Sequence, residues 1–232
     1  MYTMRANLMG QRRFLCYGVS RASAFPAAFS GELQLSEMQQ WGEYMNKNMK
    51  KTNRLNRQGT GLCIIDIQEA FSKAIPQFDT IVSRASILAR AFSDMELPIV
   101  LTEQYPRGLG KTIPSIIEAC ETRAPLEKVT FSCCGADGFE NFLIRHEITQ
   151  MIICGIETHV CVNQTALDLL SQGMKVYLAV DAVGSRNHID YMTALRRLEL
   201  EGAFPVTVEM CLFELLQTAS ANEFKAIQKL VK

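Results

Sequence analysis

The chain contains 232 residues, of which 48% are hydrophobic and 21% are charged. This length and apolar content are sufficient for one α/β-sized domain with a buried core. The 24 basic residues balance the 24 acidic ones, so net charge gives no indication of a nucleic-acid or membrane-surface partner. No run approaches the ~18 apolar residues that a membrane-spanning helix requires, which argues against a membrane protein.

Charge is distributed unevenly along the chain. Residues 1–60 carry nine basic and three acidic side chains, whereas residues 61–232 carry fifteen and twenty-one. Residues 1–31 contain four arginines and no acid, a composition found in mitochondrial import sequences. We therefore predict a mitochondrial presequence in residues 1–35, with a disordered tail of a cytoplasmic protein as the alternative. The polar residues 36–60 predict a linker or a short helix that leads into a domain over residues 61–232.

The eight cysteines indicate buried thiols rather than a disulfide framework. Cys63 and Cys154 lie inside apolar, strand-like runs, where cysteine acts as a small hydrophobic residue. Cys133 and Cys134 are adjacent, a spacing that suits neither a CxxC redox pair nor a zinc site, and we interpret them as a packing pair. This cysteine usage fits a reducing compartment.

Short apolar runs alternate with amphipathic segments after residue 60. The apolar runs predict six strands, at residues 62–66, 98–102, 126–130, 151–155, 175–180 and 205–209. The segments between them place apolar residues three and four apart, as helices do, and Gly173 and Gly202 are predicted to end two of these helices. Apolar strands joined by helices form a parallel sheet that is covered on both faces. We therefore predict an α/β fold, a three-layer α/β/α Rossmann-like sandwich with a six-stranded, mainly parallel sheet in the order 3-2-1-4-5-6.

Three reactive side chains are predicted near the ends of strands, where ligands bind in such sheets. Asp66 ends the first strand, Lys128 lies near the end of the third, and Cys161 follows the fourth in the first turn of a helix. A helix N-terminus and a neighbouring lysine would both lower the pKa of the thiol, and a carboxylate could accept its proton. Each residue alone also has an ordinary alternative, which is a turn for Asp66, packing for Cys161 and a solvated side chain for Lys128.

Five segments, in the same order, resemble the isochorismatase-like cysteine hydrolases. These segments are "DIQEAF" (66–71), "LTEQYPRGLG" (101–110), "EKVTFS" (127–132), "GIETHVCVNQTALDLL" (155–170) and "DAVGSR" (181–186). The resemblance extends over roughly residues 60–232 and is strongest to the isochorismatase-domain-containing proteins. It implies that Asp66, Lys128 and Cys161 form a catalytic triad.

The resemblance also implies how the carbonyl oxygen of a substrate would be held. It predicts a non-proline cis peptide between Ile156 and Glu157, which would direct the backbone N–H groups of Glu157 and Cys161 at an oxyanion. Phe71 and Gln104 match positions that line the pocket in the family. For these two residues, core packing and exposure to solvent are the alternatives.

The segment after the second strand argues against a metal site. Nicotinamidases of the family bind a metal there through an aspartate and histidines, but here the segment reads "TEQYPRG", and the three histidines, His146, His159 and His188, lie elsewhere. We predict no metal and no organic cofactor. True isochorismatases cleave a vinyl ether and typically lack the cysteine, so Cys161 favours an amide or a related acyl substrate.

These residues together predict a cysteine-dependent hydrolase of amidase type that cleaves the C–N bond of a small molecule through a thioester. The resemblance also implies a homo-oligomer, and nothing in the sequence indicates a nucleic-acid or membrane partner. The alternative is a catalytically silent domain that acts as an interaction or scaffold protein. A phosphate-binding role for "YPRGLGKT" (105–112) is disfavoured, because Tyr105 stands where a P-loop requires glycine.

Overall fold

Six parallel strands form the centre of the structure, a computed structural model that describes residues 52–121 and 124–232. In chain order the strands are β1 (Thr60–Ile65), β2 (Ile99–Gln104), β3 (Leu126–Lys128), β4 (Gln150–Ile156), β5 (Lys175–Gly184) and β6 (Phe204–Val206). They pair in the order β3-β2-β1-β4-β5-β6, and every pair is parallel. The predicted strand order is confirmed.

Helices connect the strands and cover both faces of the sheet. Within the described residues they are α1 (Phe78–Asp94), α2 (Pro106–Leu109), α3 (Pro114–Ala119), α4 (Phe139–Arg145), α5 (Asn163–Ser171), α6 (His188–Leu200), α7 (Val208–Leu216) and α8 (Phe224–Val231). Gly173 and Gly202 lie just beyond α5 and α6 with φ of +80° and +102°, as expected of glycines that end helices. None of the helices in this part of the chain is long and apolar enough to cross a membrane.

Alternate residues of the central strands point to opposite faces of the sheet, and each face has its own core. Leu62 and Ile64 of β1 pack with α1, α3, α7 and α8. The other two residues of this part of β1, Cys63 and Ile65, pack with α4, α5 and α6 on the opposite face. The sheet is therefore the middle of three layers, which confirms the predicted α/β/α sandwich. Cys63 and Cys154 are both fully buried, as predicted.

The predicted strand at residues 205–209 is wrong at its end. β6 ends at Val206, and α7 begins at Val208. The side chain of Thr207 accepts a hydrogen bond from the backbone N–H of Met210 at 3.3 Å, which caps the first turn of α7. An apolar run does not by itself distinguish a strand from a buried helix. The strand was therefore predicted too long, because Thr207 was not recognised as a helix cap. The short helices α2 and α3 were also not predicted.

The chain is already packed on the domain before β1 begins. Leu55 is buried, the hydroxyl of Tyr177 donates to the carbonyl oxygen of Asn53 at 2.8 Å, and the guanidinium of Arg57 pairs with Glu223 at 2.9 Å. Residues 53–60 therefore belong to the packed domain and not to the linker in which the sequence reading placed them. The predicted presequence and the rest of the predicted linker lie outside the described residues.

Gly155 allows β4 to approach the end of β1 closely. Its φ is +119°, and a Cβ atom at this position would lie 2.0 Å from the carbonyl oxygen of Ile65. No real side chain fits at that distance, so only glycine can occupy this position without moving the backbone. The close approach brings the residues that follow β4 next to Asp66, which follows β1.

Replacing Gly155 by alanine should therefore destabilise the domain strongly. We expect Gly155→Ala to lower the free energy of unfolding by more than ~3 kcal/mol, because a left-handed backbone strain is added to a backbone overlap. Gly173→Ala is the matched control, since its φ is +80° but nothing lies within 4 Å of the added Cβ, and it should cost ~1 kcal/mol. Urea denaturation measures both, and equal losses would contradict the account.

Candidate active site

Asp66 lies where β1 ends, and its carboxylate is held from two sides. It has φ of +53°, a conformation that non-glycine residues rarely adopt and that recurs at functional sites. The side chain is buried. Its Oδ1 accepts a hydrogen bond from the Thr102 hydroxyl at 2.7 Å, and its Oδ2 accepts one from Lys128 Nζ at 2.7 Å. The carboxylate therefore has a fixed orientation.

Lys128, the last residue of β3, reaches across β2 to Asp66. Its side chain has no exposed surface, and its ammonium donates to Asp66, to Gln104 Oε1 at 2.7 Å and to the carbonyl oxygen of Phe131 at 3.0 Å. Burial has the largest single effect and acts to lower the pKa of this ammonium, but the combined effect of Asp66 and the other neighbouring groups outweighs burial and raises the pKa above its ordinary value. Lys128 therefore remains charged. Its long side chain thus spans from β3 across β2 to the end of β1.

Cys161 lies in a single π-helical turn, Thr158–Val162, between β4 and α5. Its side chain is almost fully buried, and its Sγ lies 4.0 Å from Gln104 Oε1. Burial raises the pKa of the thiol well above its ordinary range, and the negative charge of nearby Asp66 raises it further. Lys128 offsets this only in part. Lys128 thus acts to lower the pKa, as expected, but the expectation of a net lowering is wrong, because burial and Asp66 dominate.

A layer of hydroxyl and thiol groups supports these residues from behind. The hydroxyl of Thr165 donates to the carbonyl oxygen of Cys161 at 2.7 Å, and its oxygen accepts from the backbone N–H of Cys133 at 2.9 Å. The Cys133 thiol in turn lies 3.7 Å from the Thr102 hydroxyl that binds Asp66. Cys133 is buried, as a packing residue should be, but it also links the turn of Cys161 to the carboxylate.

The peptide bond between Ile156 and Glu157 is cis, as the resemblance implied. Ile156 is fully buried in the core. The Glu157 carboxylate turns to the loop after β5, where its Oε1 accepts from the backbone N–H of Arg186 at 3.1 Å and from Arg186 Nε at 3.0 Å. The structure therefore assigns the Glu157 side chain to an ion pair with Arg186, and the predicted role of the backbone N–H groups stays a prediction.

Gln104 and Phe71 differ in their relation to the triad. Gln104, the last residue of β2, contacts both the ammonium of Lys128 and the thiol of Cys161. Phe71 ends a short 3₁₀ turn, Glu69–Phe71, and is half-buried against the core on the α1 face. Gln104 thus lies beside the triad residues, and its predicted place in the wall of the pocket stays a prediction, whereas the contacts of Phe71 support the alternative of packing.

The remaining candidates from the sequence have structural partners. Lys111 of the P-loop-like segment pairs with Glu103 at 3.2 Å and with Glu127 at 3.3 Å. His159 Nδ1 lies 3.0 Å from the Ser185 hydroxyl. Across residues 52–121 and 124–232, no group of three or more histidine, cysteine, aspartate or glutamate side chains is arranged to hold a metal ion.

The sequence reading missed Thr102 and Gln68 as residues of the site. Both lie within the segments that carry the resemblance, and Thr102 lies two residues before Gln104 on the same strand. A period of two places alternate residues on the same face of a strand, so this spacing could have identified Thr102. No comparable signal existed for Gln68, since its contacts depend on how the chain turns after Asp66.

Comparison with known proteins decides the family. Residues 60–210 match the Isochorismatase domain. The chain belongs to the isochorismatase family. Isochorismatase domain-containing protein 2 of Danio rerio is 40% identical to it over 183 residues, which cover 79% of this chain and 92% of that protein. The predicted family resemblance is confirmed.

Two solved structures of isochorismatase-fold proteins agree with the architecture. The structure described as the MAR1 ribonuclease from Caenorhabditis elegans has a TM-score of 0.72 and 36% identity, and the match covers 77% of this chain and 92% of that one. The YcaC gene product of Escherichia coli, described as an octameric hydrolase of unknown specificity, has a TM-score of 0.72 at 22% identity. That match covers 78% of this chain and 91% of the other, and it supports the fold alone.

The environment of Cys161 in this isochorismatase-family chain predicts an unusual response to Asp66→Asn. Removal of the carboxylate charge takes away one cause of the raised thiol pKa and leaves Lys128 in place. The thiolate fraction at neutral pH should therefore increase. We expect iodoacetamide to alkylate Cys161 several-fold faster in Asp66→Asn than in the wild type, and the pH–rate curve to shift to lower pH.

Peptide mass spectrometry measures this rate at Cys161 separately from the other cysteines. Glu103→Gln is the matched control, because Glu103 is also a buried carboxylate but binds Thr112 instead of the thiol. Cys161 should be alkylated at the wild-type rate in Glu103→Gln. An unchanged or slower rate in Asp66→Asn would contradict the electrostatic description of the site.

Proposed function

We propose that the protein is a cysteine-dependent hydrolase of a small amide or related acyl compound, in which Asp66, Lys128 and Cys161 act as a catalytic triad. The observation that carries the proposal is the meeting of a thiol, a carboxylate and an ammonium in one buried cluster, although they come from three different strand ends. Buried charges are costly unless they are paired. A cluster of this kind, at the edge of the sheet where ligands bind, is a typical feature of active sites.

The first half of the reaction forms a thioester. Asp66 takes the proton of the Cys161 thiol as the sulfur attacks the carbonyl carbon, so the S–C bond forms while negative charge moves to the carbonyl oxygen. Protonated Asp66 then gives its proton to the leaving nitrogen, and the C–N bond breaks. The amine or ammonia leaves, and the acyl group remains on Cys161.

The second half returns the enzyme to its starting state. Asp66, again a carboxylate, takes a proton from a water molecule that attacks the thioester carbon. The C–S bond then breaks, and the Cys161 sulfur recovers a proton from Asp66. The products are a carboxylic acid and a neutral thiol, which is the protonation state that the raised pKa of Cys161 favours at rest.

Lys128 and the turn around Cys161 support these steps in the proposal. The ammonium pairs with the Asp66 carboxylate and fixes its position, so that the carboxylate is oriented to act as a base. The backbone N–H groups of Glu157 and Cys161 are the proposed donors to the oxyanion, in the turn that follows the cis peptide. Removing one such donor costs an enzyme about 10²- to 10³-fold in kcat.

Two other functions make different predictions. The relative described as a ribonuclease raises RNA as a substrate. Residues 61–232, however, carry twenty-one acidic and fifteen basic side chains, and this excess of negative charge disfavours binding of a polyanion. Release of oligonucleotides from RNA by the wild type, and not by Cys161→Ala, would favour the ribonuclease over the amidase.

A scaffold protein is the other alternative, but it would need no buried thiol, carboxylate and ammonium in contact.

A screen of small primary amides against four proteins tests the proposal. We expect the wild type to release ammonia from at least one amide. Cys161→Ala should lower kcat/KM by about 10⁴-fold or more, because the nucleophile is lost, and Asp66→Asn by about 100-fold or more, because the base is lost. The loss in Asp66→Asn should occur even though its thiol reacts faster with iodoacetamide.

Cys154→Ala is the matched control for this screen. Cys154 lies in β4, shortly before Cys161 in the chain, but its side chain is buried in the core on the α1 face. Its replacement should therefore leave kcat/KM within about two-fold of the wild type. Hydrolysis that survives in both Cys161→Ala and Asp66→Asn would overturn the proposed mechanism.

We also propose that the protein is a homo-oligomer, as the resemblance implied and as the E. coli relative is described. The side chains of Ile189, Met192 and Leu200 are exposed. Their spacing places them on one face of α6, and a contiguous apolar surface of this kind is typical of an interface. Light scattering on the purified protein should give a multiple of the 26.0 kDa chain mass. A mass of one chain at micromolar concentration would contradict this proposal.

A further inference from the structure

Gln68 occupies the place that β1 leaves empty when it ends. β1 pairs with β2 up to Ile65 and Thr102, and the chain then turns away at Asp66, whose φ is positive. The next backbone groups of β2 that face this side are the N–H and C=O of Gln104. Buried backbone groups of this kind require hydrogen-bond partners.

The side-chain amide of Gln68 supplies both partners. Its Oε1 accepts from the N–H of Gln104 at 2.8 Å, and its Nε2 donates to the carbonyl oxygen of Gln104 at 3.0 Å. Nε2 also donates to the carbonyl oxygen of Gly110 at 2.8 Å. Gln68 has no exposed surface, so these three bonds are shielded from water. The amide thus continues the hydrogen-bond ladder of β1 by one more residue.

The backbone of Gln68 also contacts a residue of the triad. Its backbone N–H donates to the carbonyl oxygen of Asp66 at 2.8 Å, which closes the turn that presents the carboxylate. One residue therefore joins the turn of Asp66 to the end of β2, and its side chain and backbone fix two different parts of the site.

The side chain of Gln104 can adopt only one orientation in this setting. Its Nε2 donates to the carbonyl oxygen of Val129 at 2.9 Å, and its Oε1 accepts from Lys128 Nζ at 2.7 Å. An ammonium only donates and a carbonyl only accepts, so exchange of the two amide ends would break both bonds. The same Oε1 lies 4.0 Å from the sulfur of Cys161.

We infer that Gln68 is a positioning residue, which holds the backbone of Gln104 so that the Gln104 amide oxygen faces both the Lys128 ammonium and the Cys161 thiol. This inference rests on the proposed function, because it concerns the residues of the same site. Gln104 would share the ammonium with Asp66 and accept the S–H of the resting thiol, and both tasks require its oxygen to be held in place.

Gln68→Met tests the inference, since methionine is unbranched and of similar length but cannot replace the three hydrogen bonds. We expect kcat for an amide substrate to fall about 10- to 100-fold, as misplaced site residues commonly cause, with KM changed less than about three-fold. If Gln68 acts through Gln104, it should matter little once Gln104 is replaced. Gln68→Met should therefore reduce kcat by less than about two-fold when it is added to Gln104→Met.

Gln150→Met is the matched control. Gln150 is also a buried glutamine, and its Nε2 donates to two backbone carbonyl oxygens, those of Asn56 and Gln58. It lies where β4 begins, however, at the end of the strands opposite to the site. A purely structural effect of losing a buried amide would lower thermal stability in both variants and would reduce kcat in both. We expect a kcat loss only in Gln68→Met. Equal loss in Gln150→Met, or additive losses for positions 68 and 104, would overturn the inference.

Two additions keep the test decisive. If Gln68→Met does not fold, Gln68→Asn replaces it, because asparagine keeps a neutral amide but is one methylene too short to reach both backbone groups of Gln104. If the wild type hydrolyses none of the amides, the proposed function fails, but iodoacetamide alkylation of Cys161 still reports on the positioning. The inference then requires that Gln68→Met alters the alkylation rate in the wild-type background and not in Gln104→Met, and any other pattern overturns it.

Discussion

The buried ammonium of Lys128 is the constraint on which the rest of the site depends. Its side chain is fully shielded from solvent, and a lysine ammonium has three hydrogens that all require acceptors. Asp66, Gln104 and the loop after β3 supply them. Because an unpaired buried charge would cost several kcal/mol, the ends of β1, β2 and β3 must meet at this point for the domain to be stable.

The same charge balance explains why Cys161 is neutral at rest. The ammonium and the Asp66 carboxylate neutralise each other, so a thiolate beside them would be a second negative charge with one cation to share. Burial makes that state costly, and the pKa of the thiol is raised accordingly. In the proposed reaction the negative charge leaves the carboxylate as it develops on the substrate oxygen, so that the site carries one negative charge at a time. In this account the sulfur of Cys161 becomes a nucleophile only when substrate is bound, and in the free enzyme it remains a neutral thiol.

Much of this could be predicted from the sequence, for identifiable reasons. The parallel sheet and its two-faced core follow from apolar runs and helix spacing, and the strand order follows from the doubly wound fold class. The convergence of Asp66, Lys128 and Cys161 follows from the family resemblance together with their positions near strand ends. The state of the thiol could not be predicted, because it depends on how deeply Cys161 is buried and on its contact with Asp66. The role of Gln68 was likewise hidden, since it arises from the turn at Asp66 that leaves Gln104 without a strand partner. The end of β6 was misplaced because Thr207 caps a helix within an apolar run.

The central claim is that the sulfur of Cys161 carries the acyl group between the two halves of the reaction. Acid quenching during turnover of an activated acyl ester, followed by intact-protein and peptide mass spectrometry, tests it most directly. The account predicts a mass increase equal to the acyl group, located on the peptide that contains Cys161 and absent from Cys161→Ala. Turnover with the acyl group on another residue, or turnover that persists in Cys161→Ala, would contradict it.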